Sequence, residues 1–231
     1  MNYMSLVVRP ALYLVFFAAV AALAQSPGEF ARSFAGKWTI TASRNPGSST
    51  QAYRGTVDIA AKDNGVVAIR WNIPGSEYAG IGFTNGRILA AGYSDGSPMG
   101  VAIYDKDGDK FVGAWTGSMT KGEIGTETLQ STGEGTGIFK IIKGTNPDGA
   151  SYGGEVTMLE KGDVFELTWR GNGPVTRGVG IRVGNSLVVG WTPGKSVGVV
   201  CYEVKNDGTR LEGSWTGIGA TKLGAETLDR R

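Results

Sequence analysis

No histidine occurs in the 231 residues, and there is one cysteine, Cys201. Each absence removes a class of chemistry. A Ser-His-Asp or Cys-His nucleophile needs an imidazole base, so neither is available. A zinc site draws on several Cys or His ligands, and these are missing. No metal and no cofactor are therefore expected. A single cysteine forms no internal disulfide, and Cys201 reads as a small buried hydrophobe on a strand. Charge of one sign is lacking too: 23 basic residues face 21 acidic ones, a net +2, with no block of either. That leaves no electrostatic case for a nucleic-acid partner.

Long apolar runs are lacking beyond the first. Ala11 to Ala21 follows Arg9 and precedes Ala22-Leu23-Ala24. The run is shorter than the roughly 20 residues that cross a bilayer. The small residues after it suit a signal peptidase, so residues 1–24 read as a secretory signal peptide. The product is expected to begin at Gln25, in the periplasm or secreted, with no membrane span.

What is abundant is glycine, 38 residues spread among short alternating segments. That pattern fits many strands and tight turns. Phe165, Leu167 and Trp169 share one face, while Glu166, Thr168 and Arg170 share the other. Leu211, Gly213 and Trp215 alternate in the same way with Glu212, Ser214 and Thr216. This is the period of strands with one buried face. Asn64-Gly65, Asp107-Gly108 and Asp207-Gly208 are among the hairpin turn signals. No long segment has helical periodicity.

The chain is also a duplication. Gly100 to Leu129 returns as Gly198 to Leu228, each with Gly-Val-x-x-Tyr, Asp-Gly, Gly-x-Trp-Thr-Gly and Glu-Thr-Leu. One β-meander copy spans 36–130 and the other 137–231, with Ser131–Thr136 between them. Each holds about eight short strands. Sequential hairpins leave open edges unless the sheet closes, and eight strands close an up-and-down barrel. The predicted fold is all-β, two barrel-like repeats in tandem. The alternative is a single barrel or sandwich that draws strands from both copies.

Aromatic residues are the candidate ligand-binding set: Trp38, Trp71 and Trp115 in the first copy, Phe139, Trp169 and Trp215 in the second. They read either as an aromatic-lined cup for an apolar ligand or as core packing. Trp115 and Trp215 are expected to be mostly buried. Gly80-x-Gly82 and Gly178-x-Gly180 read as strand glycines that let a backbone or a large Trp come close. Asp105-Lys106-Asp107-Gly108-Asp109 has carboxylates in alternation, but it lacks the EF-hand order and reads as a hairpin turn. Glu127 and Glu226 would form an acid–base pair only if the copies brought them together. Otherwise each reads as a closing-strand Glu paired with Lys or Arg. No catalytic residue is assigned, and the protein is not expected to be an enzyme.

Gly36-Lys37-Trp38 resembles the opening of the calycin group, the lipocalins and avidins. Asn146-Pro147-Asp148-Gly149, Trp169, Gly178-Val179-Gly180-Ile181, Asp207-Gly208 and Gly213-x-Trp215 resemble a group of small exported proteins of Gram-negative bacteria. Some of that group are labelled fibronectin-binding. The resemblance implies an exported, non-enzymatic binding module. Its partner is a small apolar ligand or an extracellular matrix protein. A structural envelope protein and a carboxylate hydrolase are the other readings.

Overall fold

The computed structural model describes residues 26–86, 88–133 and 135–231. The expected signal segment, residues 1–24, lies outside the described residues. The chain opens with α1 (Pro27–Phe34), followed by β1 (Gly36–Arg44), β2 (Gly55–Ala61), β3 (Val66–Ile73), β4 (Ser76–Thr84) and β5 (Leu89–Ser94). Next come β6 (Gly100–Asp107), β7 (Lys110–Gly117), β8 (Ile124–Ser131) and β9 (Ile138–Thr145). They continue into β10 (Ser151–Lys161), β11 (Val164–Arg170), β12 (Thr176–Val183) and β13 (Ser186–Thr192). The last strands are β14 (Gly198–Lys205), β15 (Arg210–Gly217) and β16 (Gly224–Arg230).

These strands build two closed, antiparallel, eight-stranded barrels, as the alternation predicts. In one, β6 to β13 pair in chain order, and β13 returns to β6 with Trp191 opposite Gly100. We call this the contiguous barrel. The other, the split barrel, joins β1–β5 to β14–β16. It closes where Tyr93 lies opposite Gly198 and Trp38 opposite Arg230.

Barrels and sequence copies therefore do not coincide. Each copy gives its first five strands to one barrel and its last three to the other. The exchange happens in the short connections at 95–99 and 193–197. Strands of both copies mix, as in the alternative reading, yet the result is two barrels and not one.

The strands at the exchange have a distinct composition. Gly100-Val-Ala-Ile-Tyr and Gly198-Val-Val-Cys-Tyr are continuously buried, with no polar alternation. One face looks into a barrel. The other packs on the neighbouring barrel in a seam that includes Val101, Ile103, Val179, Ile181, Val188 and Cys201. Strands covered on both faces read as continuous apolar runs. Burial in the seam, together with the nearby Glu203, pushes the Cys201 thiol up to about 12, so it is inert at neutral pH.

Each barrel has its own core. Trp38, Ile40, Val57, Ile69, Leu211 and Leu228 fill the split barrel. Leu129, Val156, Phe165, Leu167, Leu187 and Val189 fill the contiguous one. α1 plugs one end of the split barrel with Ala31 and Phe34, a helix the periodicity does not predict. At eight residues it is held by its ends. Ser26 Oγ accepts from the Glu29 backbone N–H at 3.2 Å, and the Glu29 carboxylate accepts from Ser26 N–H at 2.9 Å. No helix among the described residues is long and apolar enough to cross a membrane.

Candidate functional site: two aromatic cups

Each barrel is packed solid at one end and open at the other. The open end of the contiguous barrel holds a cavity of about 420 Å³, and that of the split barrel one of about 340 Å³. Both fall within the range of small-molecule sites, roughly 300 to 1,000 Å³.

A carboxyl group lies deep in each cavity. In Glu-Thr-Leu, residues two apart share a face, so the inward Leu129 carries Glu127 inward with it. Glu226 follows Leu228 in the same way. Their exposures are 3% and 4%. Their partners are not Lys or Arg, as the sequence suggests, but hydroxyl and indole donors. In the contiguous barrel Tyr104 Oη donates to Glu127 Oε1 at 2.6 Å, and Trp169 Nε1 donates to the same oxygen at 3.1 Å. In the split barrel Tyr202 Oη and Trp71 Nε1 donate to Glu226 Oε1, the latter at 3.3 Å. Trp71 Nε1 also reaches Tyr202 Oη at 3.0 Å.

Burial raises both carboxyls above their ordinary value of 4.5, and the donated hydrogen bonds pull the other way without overcoming it. Tyr104 and Tyr202 are raised well above the usual phenol range, first by burial and then by the adjacent carboxylate. Neither tyrosine gives up its proton at physiological pH, so each remains a donor to its glutamate.

The rings stand over glycines of adjacent strands. A Cβ at Gly80 would lie 2.7 Å from Trp71, and one at Gly178 2.8 Å from Trp169. A Cβ at Gly125 or at Gly224 would lie 2.5 Å from Trp115 or Trp215. Tyr104 and Tyr202 lie over Gly113 and Gly213 in the same manner. Glycine is thus what lets large rings lie flat against the barrel wall. The sequence reading of Gly80 and Gly178 agrees with this packing.

Of the six aromatic residues singled out from sequence, Trp71, Trp115, Trp169 and Trp215 line the cups. Trp38 and Phe139 do not. Trp38 is fully buried beside α1, its indole N–H donating to the Phe34 carbonyl at 2.9 Å. Phe139 packs edge-on against Phe111, with centroids 5.6 Å apart. Sequence reasoning missed the tyrosines Tyr53, Tyr93, Tyr104, Tyr152 and Tyr202, and also Trp191. The signal was present in the paired Gly-Val-x-x-Tyr and Leu-x-x-Gly-Tyr/Trp segments. Glu127 and Glu226 occupy different barrels, so the acid–base pair considered from sequence is not formed. The Asp107-Gly108 segment is a hairpin turn, with Gly108 at φ +60°. Among the described residues no three of His, Cys, Asp and Glu cluster closely enough to hold a metal ion.

The two cups differ at their mouths. Trp115 Nε1 donates to Tyr152 Oη at 2.8 Å, but the matching buried N–H of Trp215 has no hydrogen-bond partner. Tyr53 and Trp215 keep the 6.3 Å ring separation of Tyr152 and Trp115, at a different tilt. Arg170 lines the cup of the contiguous barrel. Tyr78 lines that of the split barrel and meets Tyr93 edge-on at 5.9 Å. Compared with family models, curated proteins and solved structures, the chain matches none of them.

Proposed function

We propose that this chain is an exported, non-enzymatic binding protein with two separate sites for small ring-bearing ligands, one in each barrel. One observation carries the reading. In both barrels an open cavity is framed by indole and phenol rings over a single buried carboxyl. Stacking rings supply apolar contact, and a fixed polar group sets orientation, the usual division of labour in a ligand pocket. A binder is favoured over a hydrolase because glycoside hydrolysis needs two carboxyls roughly 5 to 9.5 Å apart, and each cup offers one. Export rests on the signal-like segment at residues 1–24.

The test is calorimetric titration of the purified protein with small aromatic and alicyclic compounds. Saturation at two ligands per chain is expected. Trp71→Phe and Trp169→Phe should each weaken one of the two sites, because each loses an indole donor and part of a wall. Absence of heat and of tryptophan fluorescence change across the whole panel would overturn the proposal.

A further inference from the structure

We infer that the cup of the split barrel selects a cation: a small organic ammonium held among its rings, with Glu226 as counter-charge. This rests on the proposed binding function and adds the ligand's charge. Among the described residues the lining of this cup includes Glu226 and no Lys or Arg. Tyr53, Trp71, Tyr78, Tyr93 and Trp215 surround the space, drawn from β3, β4, β5, β15 and the segment before β2. Their ring faces carry the negative end of the aromatic quadrupole, which attracts a cation. Tyr202 and Trp71 donate to Oε1, and Tyr53 also hydrogen-bonds the carboxyl.

A buried carboxylate with no cation nearby is unfavourable, and here the surroundings raise its affinity for a proton. The titratable groups facing it are Tyr53, Tyr93 and Tyr202, all shifted up by burial. Each is neutral at physiological pH, so the wall supplies no compensating positive charge. An ammonium ligand would supply it. The proton balance is simple: at a pH below the raised carboxyl value the empty cup holds Glu226 as the acid, the ligand arrives as R–NH3+, and one proton leaves to buffer. At the cup of the contiguous barrel Arg170 is exposed, and its guanidinium donates to Thr157 Oγ1 at 3.4 Å.

The probes are 2-phenylethylammonium and neutral 2-phenylethanol, titrated by calorimetry into wild type and Glu226→Gln in buffers of different ionisation enthalpy. Wild type is expected to bind the ammonium at one site at least about tenfold more tightly than the alcohol, the scale of a desolvated cation–π and ion-pair contact. A proton should be released, and the release should fade as pH rises past the raised carboxyl value. Glu226→Gln should lose both the preference for the ammonium over the alcohol and the proton release. Equal affinities in wild type would overturn the cation inference and leave the binding proposal standing, as would a preference that survives in Glu226→Gln. If neither probe binds while other ring compounds of the panel do, the cation inference alone fails; if the whole panel is silent, both fail. The wild-type comparison decides the matter even where the variant does not fold.

Discussion

Trp169 Nε1 donates to Glu127 Oε1 at 3.1 Å across the boundary between the two sequence copies. Trp71 and Glu226 repeat the contact in the other direction at 3.3 Å. Each cup therefore draws on both sequence copies. Neither copy alone holds both the indole donor and the carboxyl it serves.

That division has a direct test at the junction. Residues 132, 133, 135 and 136 are exposed, between β8 and β9. A protease site placed there should cut without dispersing the molecule, because each fragment supplies strands to both barrels. The two fragments should co-elute in native size exclusion and separate in urea. Separation under native conditions would contradict the strand exchange.

The tryptophans should divide by stability. Trp38 is fully buried in the core, so Trp38→Ala should cost about 3 to 5 kcal/mol. Trp215 keeps part of its surface open at the cup, so Trp215→Ala should cost roughly 1 to 2 kcal/mol, in proportion to the smaller area withdrawn from water. Urea midpoints compare the two. Equal losses would mean that the Trp215 cup is packed shut.

Glycine substitutions should track the rings. Gly80→Ala places a methyl group 2.7 Å from Trp71 and 2.9 Å from the Gly92 carbonyl. It should destabilise by about 1 to 3 kcal/mol, the range for overpacking, and displace the indole. At Gly217 the nearest atom to a Cβ is 3.8 Å away, so Gly217→Ala should stay within about 0.5 kcal/mol of wild type. Thermal unfolding and near-ultraviolet circular dichroism read both effects. A tolerated Gly80→Ala with an unchanged tryptophan signal would refute the cradle.

The buried carboxyls should tilt the pH dependence of stability. Both have folded values above the ordinary 4.5, so the native state holds protons that the unfolded chain releases. Their contribution is complete below about pH 4.5 and is lost as pH rises through the folded values, by up to about 1.4 kcal/mol per pH unit for each group. Urea unfolding from about pH 4 to 7 should show wild type losing stability relative to Glu127→Gln/Glu226→Gln as pH rises. A flat or rising difference would contradict the assigned direction.

The barrels were legible because period two and turn chemistry are local signals. Phe165, Leu167 and Trp169 face inward as their alternation requires. Which strand closes on which is not local. The connection at 95–99 gives no sign that β6 leaves β5 for another barrel. The doubly apolar runs at Val101–Ile103 and Val199–Cys201 were the available clue, since a strand with no polar face needs cover on both sides. Glu127 was readable from the Leu129 face, but its partner Trp169 was not, because that contact is 42 residues away in the chain. The short helix escaped because eight residues hold barely two turns of periodicity, although Ser26 and Glu29 had the capping pattern.

The two barrels also differ in when they can be completed during synthesis. Every strand of the contiguous barrel has been made once Thr192 is added. At that moment the other barrel is a five-stranded sheet, with β1 and β5 as raw edges. It waits for Gly224–Arg230, the strand that delivers Glu226 and pairs with β1. Open apolar edges of this kind are where chains associate wrongly. A nascent chain clipped before Gly224 would carry one finished cup and one gaping sheet.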